Sequence, residues 1–119
     1  MIILTVANDM TMLEELGREL SEAFPGEEII KEKDALMAGK YAFNHSVDIV
    51  FAEADMKRMN GLQLIRFVRQ EHPEVKSFLI GTEKEISESF LVVSEDVTGV
   101  LTYPFAKKEI RDIRQRSAQ

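Results

Sequence analysis

VDIVFAEADMKRMNG, residues 47–61, is the stretch of this sequence that decides its fold. It contains a nearly continuous apolar run over residues 48–53, which is the pattern of a central parallel strand covered on both faces. The run ends at a carboxylate, Glu53, and Asn60 and Gly61 then open a helical pattern. The stretch therefore predicts a strand, a loop and a capped helix, with an acidic side chain where the strand ends.

The same alternation of apolar runs and helical patterns extends along the chain and predicts a parallel sheet flanked by helices. We expect strands at residues 2–6, 28–31, 48–53, 77–80 and 99–102. Helices are predicted from about Thr11, which has capping-box spacing to Glu14, at 35–43, after Asn60, at 86–94 and after Pro104. Five such units over residues 1–119 predict one α/β domain of the flavodoxin-like, three-layer doubly wound class.

Composition excludes several classes of protein. The 119 residues are 45% hydrophobic and 30% charged, and no apolar run approaches the ~20 residues that a membrane span needs. The chain has no cysteine, which excludes a disulfide framework, a thiolate metal site and a thiol nucleophile. Its net charge of −6 argues against direct nucleic-acid binding. We expect a cytoplasmic domain without membrane contact.

Two segments carry a resemblance to a known family. The stretch already quoted is one, and LTYPF, residues 101–105, is the other. Both resemble segments of response-regulator receiver domains, in which the third strand ends in a phosphoacceptor aspartate and LTKPF follows the fifth strand. The resemblance implies a five-stranded parallel sheet of order 2-1-3-4-5 with five helices. It also implies a site at the carboxyl ends of the strands.

The resemblance assigns the phosphate and metal positions of the family to altered residues. The phosphoacceptor position is Glu53, whose carboxylate lies one methylene, about 1.5 Å, farther from its backbone than that of aspartate. The two adjacent acids that hold magnesium correspond to Ala7 and Asn8, with Asp9 one residue late. Mg²⁺ requires hard oxygen ligands, whereas Ala7 offers no side-chain oxygen and Asn8 offers an uncharged one. We expect weak or absent Mg²⁺ binding and no other cofactor.

The switch positions of the family are altered as well. The lysine that pairs with the phosphoryl group corresponds to Tyr103, which is a neutral donor. The hydroxyl residue after the fourth strand corresponds to Thr82, or to Gly81 if the register shifts by one. The aromatic switch residue corresponds to Val100. The resemblance also implies a cis peptide bond before Pro104.

One candidate partner face lies near the end of the sequence. The last predicted helix, which follows Pro104 and is the fifth along the chain (α5), carries Lys107, Arg111 and Arg114 at i, i+4 and i+7, so that they share one face, the α5 stripe. The family uses the face built from the fourth helix, the fifth strand and the fifth helix for dimerisation and partner docking. The stripe is therefore a candidate docking surface, and a solvated helix face is the alternative interpretation.

Three functional hypotheses remain. The first is an atypical, non-enzymatic receiver that acts through protein contacts with a histidine kinase or an output domain, without phosphorylation. In that case Glu53 supplies a fixed negative charge, or is only a polar strand end held by a nearby amide or hydroxyl. The second is a working receiver that accepts a phosphoryl group from a histidine kinase on Asp9, Asp55 or Glu53. The third is a flavodoxin-like cofactor binder, which is disfavoured because residues 7–10 are acidic and bulky where a phosphate needs open amides.

Overall fold

The computed structural model describes residues 1–89 and 96–117. Within these ranges strands and helices alternate along the chain. The elements are β1 (Ile2–Val6), α1 (Met10–Ala23), β2 (Glu28–Glu32), α2 (Ala35–Asn44), β3 (Ile49–Glu53), α3 (Gly61–Glu71), β4 (Lys76–Thr82), α4 (Glu83–Ser89), β5 (Gly99–Tyr103) and α5 (Lys107–Ser117). The helix predicted at 86–94 thus begins three residues early, and its last part lies outside the described residues.

The five strands form one parallel sheet in the order β2-β1-β3-β4-β5, which confirms the predicted fold class. The order reverses between β1 and β3, where the chain first extends the sheet in one direction and then in the other. Loops at the carboxyl ends of these two strands therefore diverge and leave a crevice. Glu53 stands at the end of β3, at the edge of that crevice.

The core has two layers because both faces of the central strand are covered. All five residues of β3 are buried, and they alternate between the two layers, as a strand requires. Val50 and Ala52 pack with α2 and α3, while Ile49 and Phe51 pack with α1 and α5. The Phe51 ring stacks on Phe78 of β4 with their centroids 5.1 Å apart. This arrangement holds the end of β3 in a fixed position.

The helix starts show where capping residues act. Asn60 caps α3, as predicted, and forms a reciprocal capping box with Gln63. The helix expected from about Thr11 begins at Met10, one residue earlier, and its cap is Asp9 and not Thr11: the Asp9 side chain accepts a hydrogen bond from the Met12 N–H at 3.1 Å. An aspartate directly before the first turn is a favoured cap because its side chain accepts from a free N–H of that turn, so α1 begins at Met10.

α2 turns its smallest apolar residues toward the core. Ala35, Ala38 and Ala42 are buried against the sheet, whereas the larger Leu36 and Phe43 are 49% and 66% exposed. Small side chains let the helix lie close to the strands, and they leave its larger side chains on the outside.

In residues 1–89 and 96–117, no helix has both the length and the apolar character needed to cross a membrane.

Candidate functional site

The Glu53 carboxylate is enclosed by the loop that follows β1. Its Oε1 accepts hydrogen bonds from the backbone N–H groups of Asn8 and Asp9, at 2.8 and 3.3 Å. The side chain is only 5% exposed. Backbone N–H groups are strong donors that require an acceptor where they are turned away from solvent, and Glu53 is the acceptor for these two. The position that resembles a phosphoacceptor is thus filled by a carboxylate that is itself bound by the site.

A second carboxyl group, from Glu85, lies beside Glu53. Glu85 belongs to the first turn of α4, and its Oε1 accepts from the Thr82 N–H and hydroxyl at 3.3 Å each. The Glu85 N–H donates to the Thr82 hydroxyl at 3.2 Å, so the pair caps the helix reciprocally. Glu85 Oε2 is buried and, among the described residues, lacks a donor. The Glu53 carboxyl can supply one when it carries a proton.

Gly81 makes room for this carboxyl pair. A Cβ at position 81 would lie 3.1 Å from Glu85 Cβ and 3.2 Å from its Oε2. The Glu85 side chain therefore occupies the space that a side chain at position 81 would need. Gly81 and Thr82 are the two candidates for the position after the fourth strand. Gly81 lies against Glu85, the carboxyl group beside Glu53, whereas Thr82 is exposed and caps α4.

The pair retains a proton near neutral pH. Burial, together with the hydrogen bond and charge of Glu85, raises the pKa of Glu53 to about 7, while the N–H groups of Asp9 and Asn8 oppose the shift. Two carboxylates this close cannot both ionise cheaply, so the raised pKa leaves on Glu53 a proton that it can donate to Glu85. Sequence reasoning missed Glu85. The signal that could have found it is the Thr-x-x-Glu spacing of residues 82–85.

The two positions that correspond to the metal-binding acids, Ala7 and Asn8, and the neighbouring Asp9 have other contacts. Ala7 is fully buried and carries no side-chain oxygen. Asn8 joins two loops, because its Oδ1 accepts from the Lys57 N–H at 2.7 Å and its Nδ2 donates to the Lys33 carbonyl at 2.8 Å. Asp9 is committed to the α1 cap. Among the described residues no three His, Cys, Asp or Glu side chains are grouped to hold a metal ion.

Tyr103 stands at the end of β5 in the lysine position, and its contacts are with α1. The ring is half-buried and meets Phe105 edge-on, with centroids 5.3 Å apart. Burial, together with the carboxylates of Glu15 and Asp9, raises the pKa of Tyr103 above its ordinary value. The side chain is therefore neutral at physiological pH and brings no positive charge to Glu53.

Two further positions predicted from the resemblance, Val100 and Pro104, lie in β5 and directly after it. The Tyr103–Pro104 peptide bond is cis. Val100 pairs with Leu79 of β4 in the sheet and is 37% exposed. A valine at this position has no polar tip, so it has no hydrogen bond to exchange between a buried and an exposed state.

The α5 stripe faces α1. Lys107 Nζ lies 3.2 Å from Glu19 and 3.0 Å from Glu22, and the Arg114 guanidinium lies 5.7 Å from the centroid of the Phe24 ring. Arg111 lines the same shallow cavity between the two helices. Lys107 therefore compensates two acidic residues of α1, and these two glutamates raise the pKa of Lys107.

Comparisons with known proteins agree with the fold of the chain. The family model described as response regulator receiver domain matches residues 3–115. The fold resembles the signal receiver domain of an HD domain-containing protein from Pseudomonas fluorescens Pf-5 (TM-score 0.81, 21% identity, covering 98% of this chain and 85% of that one). It also resembles chemotaxis response regulator CheY4 of Vibrio cholerae (0.77, 21%, 98% and 97%) and NtrX from Brucella abortus (0.83, 20%, 98% and 26%). No curated protein sequence matches the chain significantly.

Proposed function

The chain belongs to the response-regulator receiver domain family, and we propose that it is a two-component signalling module that acts through protein contacts, independently of phosphorylation. Receiver domains are typically non-enzymatic modules that interact with kinases and output domains. We infer the same for this chain, with the cytoplasm as its location.

The observation that carries the proposal is the enclosure of Glu53. Its carboxylate accepts the N–H groups of Asn8 and Asp9, and Glu85 covers its other side. An acceptor for phosphoryl transfer must instead present a free oxygen in line with the donor. Glu53 thus supplies the site with a permanent acidic group, whose charge depends on the proton that it can donate to Glu85.

The surrounding residues support the same proposal. A phosphoryl group carries nearly two negative charges, and transfer depends on neutralising them with metal and cationic side chains. Ala7 and Asn8 bring no charged oxygen for Mg²⁺, and Tyr103 brings no ammonium group. We therefore propose that Mg²⁺ binding is weak or absent and that an acyl phosphate at Glu53 would not be stabilised.

Phosphodonor treatment tests this proposal directly. The protein is incubated with Mg²⁺ and acetyl phosphate, or with beryllofluoride, and followed by intact mass and by amide chemical shifts. We expect the mass to remain unchanged and the resonances near Glu53 and Gly81 to stay in place. A receiver domain known to accept phosphoryl groups, treated in parallel, verifies the reagents. Saturable shifts around Glu53 would contradict the proposal.

The second hypothesis, a working phosphoacceptor, is resolved by the same experiment with variants. If mass increases, Glu53→Gln, Asp9→Asn and Asp55→Asn identify which carboxyl accepts the group. Asp55 is exposed in the loop after β3, and Asp9 is the α1 cap. Asp112→Asn, at an exposed acid of α5, is the matched control because it removes one carboxylate far from the site.

The third hypothesis, a flavodoxin-like cofactor binder, receives little support from the loop after β1. A phosphate-binding loop directs free N–H groups at its ligand. Here the N–H groups of Asn8 and Asp9 are directed at Glu53. We expect the purified protein to be colourless and to show no flavin absorbance after reconstitution.

The surface that docks a partner is a separate part of the proposal. The family precedent favours the face of α4, β5 and α5, for either a homodimer or an output domain. On that face Val100 is 37% exposed, while the α5 stripe is engaged with α1. Sedimentation velocity with wild type and Val100→Glu distinguishes a homodimer through this face, because a buried charge would weaken it.

A further inference from the structure

The outward face of α2 carries an apolar stripe that the core does not use. Leu36, Gly39, Lys40 and Phe43 follow the i, i+3, i+4, i+7 spacing of one helix face. Leu36 and Phe43 are 49% and 66% exposed. Single exposed apolar residues are ordinary on protein surfaces, but a contiguous set on one helix face marks an interaction site.

This stripe forms one wall of a groove whose other wall is α3. The groove has a volume of about 320 Å³, and Met59 and the Phe67 ring complete its lining. Gly39 forms part of the floor, because a Cβ there would lie 3.9 Å from the Phe67 ring and nothing fills that space now. The lining is apolar except for Lys40, so the groove suits side chains of leucine or phenylalanine type.

Positive charge collects at one end of the groove. A second cavity, of about 330 Å³, meets the groove at Ala35 and is lined by Lys33, Asp34, Lys57 and Arg58 together with Asn8. This cavity carries three cations and one carboxylate, Asp34, which caps α2 and lies 3.8 Å from Arg58, and Lys40 adds a fourth cation on the groove itself. The chain as a whole has a net charge of −6, so this basic end contrasts with its surroundings.

We propose that the α2–α3 groove binds an amphipathic helix of a partner protein, whose apolar stripe fills the groove and whose acidic end lies over Lys33, Lys57 and Arg58. In helix-in-groove recognition the bound helix inserts apolar anchors at i, i+3, i+4 and i+7 into an apolar groove, and the lining here is apolar except for Lys40. α2 has ten residues and so is about 15 Å long, enough to contact about three turns of a partner helix. The charge complementarity selects an acidic partner and fixes its direction.

A designed peptide provides the probe. It is a helical peptide with leucines at i, i+3, i+4 and i+7 and several glutamates at one end, titrated into ¹⁵N-labelled protein at low salt. A peptide with lysines in place of the glutamates, and one with the same composition in scrambled order, are titrated in parallel. We expect saturable shifts confined to α2, Met59 and α3 for the acidic peptide, with at least tenfold weaker binding of the other two.

Variants connect this binding to the groove. Gly39→Leu should fill the floor and weaken binding at least tenfold, and Phe43→Ser should do the same by removing an apolar wall. Arg58→Glu should weaken binding about fivefold at low salt and less at high salt, because exposed charges are screened. Lys108→Glu, the same change at an exposed site on α5, should leave binding unchanged. Melting curves verify that each variant is folded.

Several outcomes would overturn the proposal. Equal binding of the lysine peptide would remove the charge argument, and shifts confined to β5 and α5 would move the site elsewhere. Absence of saturable shifts at millimolar peptide would leave no helix-binding groove. A concentration-dependent dimer abolished by Phe43→Ser would assign the groove to a second copy of this chain, and Phe43-dependent binding to anionic vesicles would assign it to a membrane surface.

Discussion

Replacing Glu53 with glutamine should remove most of the pH dependence of stability near neutrality. In the wild type, burial and Glu85 raise the pKa of Glu53 from 4.5 to about 7. A carboxyl group with a higher pKa in the folded state binds its proton more tightly there than in the unfolded chain. Its contribution to stability is therefore fully present below about pH 4.5 and is lost as the pH rises through 7.

The size of this effect follows from the shift. A difference of roughly 2.5 pKa units at 1.36 kcal/mol per unit corresponds to about 3 kcal/mol of unfolding free energy. Because domains of this kind are stable by only ~5–15 kcal/mol, the loss is a large part of the total. Glutamine keeps an oxygen for the N–H groups of Asn8 and Asp9 and offers a permanent donor to Glu85. The difference in stability between Glu53→Gln and wild type should therefore increase by about 3 kcal/mol between pH 4.5 and 8.5 in favour of the variant.

Urea unfolding at constant ionic strength, from pH 4.5 to 8.5, measures this difference. Far-UV circular dichroism is the appropriate signal because the chain has no tryptophan. Glu83→Gln is the matched control, since Glu83 is an exposed acid on the same first turn of α4. It changes the net charge equally, and we expect its stability to follow the wild-type curve.

Two results would refute this reasoning. Parallel stability curves for wild type and Glu53→Gln would mean that Glu53 retains no proton in the folded state. Stabilisation of the wild type by Mg²⁺ at pH 8, absent in the variant, would mean that a cation and not a proton neutralises the carboxyl pair.

Three further substitutions test the packing around the site. Val50→Asp places an unpaired charge in a fully buried strand and should lower the unfolding free energy by several kcal/mol, measured by urea titration. Gly61→Ala should cost about 1–3 kcal/mol, because its Cβ would collide with the Glu53 backbone and lie 2.8 Å from Leu79, and a thermal melt unchanged from wild type would contradict this packing. Asn8→Ala removes two hydrogen bonds between loops and should cost about 1–3 kcal/mol, with faster amide exchange in both loops as the specific readout.

The fold could be predicted from the sequence because its signals are local and repeated. The run at 48–53 has the hydrophobicity of a strand covered on both faces, and β3 is indeed buried throughout. The place of Asn60 before a helical pattern predicts a cap, and Asn60 caps α3 in the structure. Both depend on residues adjacent in the chain, where periodicity and capping carry most of the information.

The interior of the site could not be predicted in the same way. The contact between Glu53 and Glu85 joins residues 32 positions apart, and no local pattern connects them. Glu85 lies beyond the predicted end of the fourth strand, in a segment that the apolar periodicity did not include. The Asp9 cap could not be predicted for a different reason: Thr11 has capping-box spacing to Glu14 and Asp9 does not, and only the path of the backbone decides between two caps two positions apart.

The alanine face of α2 has a consequence for the local dynamics of the molecule. Each buried alanine methyl contributes about 0.8 kcal/mol, whereas a buried leucine, isoleucine or valine contributes ~1.5–3 kcal/mol. α2 is held by Ala35, Ala38 and Ala42, while α3 is held by larger side chains including Leu64 and Ile65. Transient detachment of α2 therefore costs less free energy than detachment of α3, and its amides should exchange with solvent sooner. A partner helix bound along the outer stripe of α2 would suppress this opening. Slower amide exchange along α2 would therefore report that the α2–α3 groove is occupied, even where the average structure is unchanged.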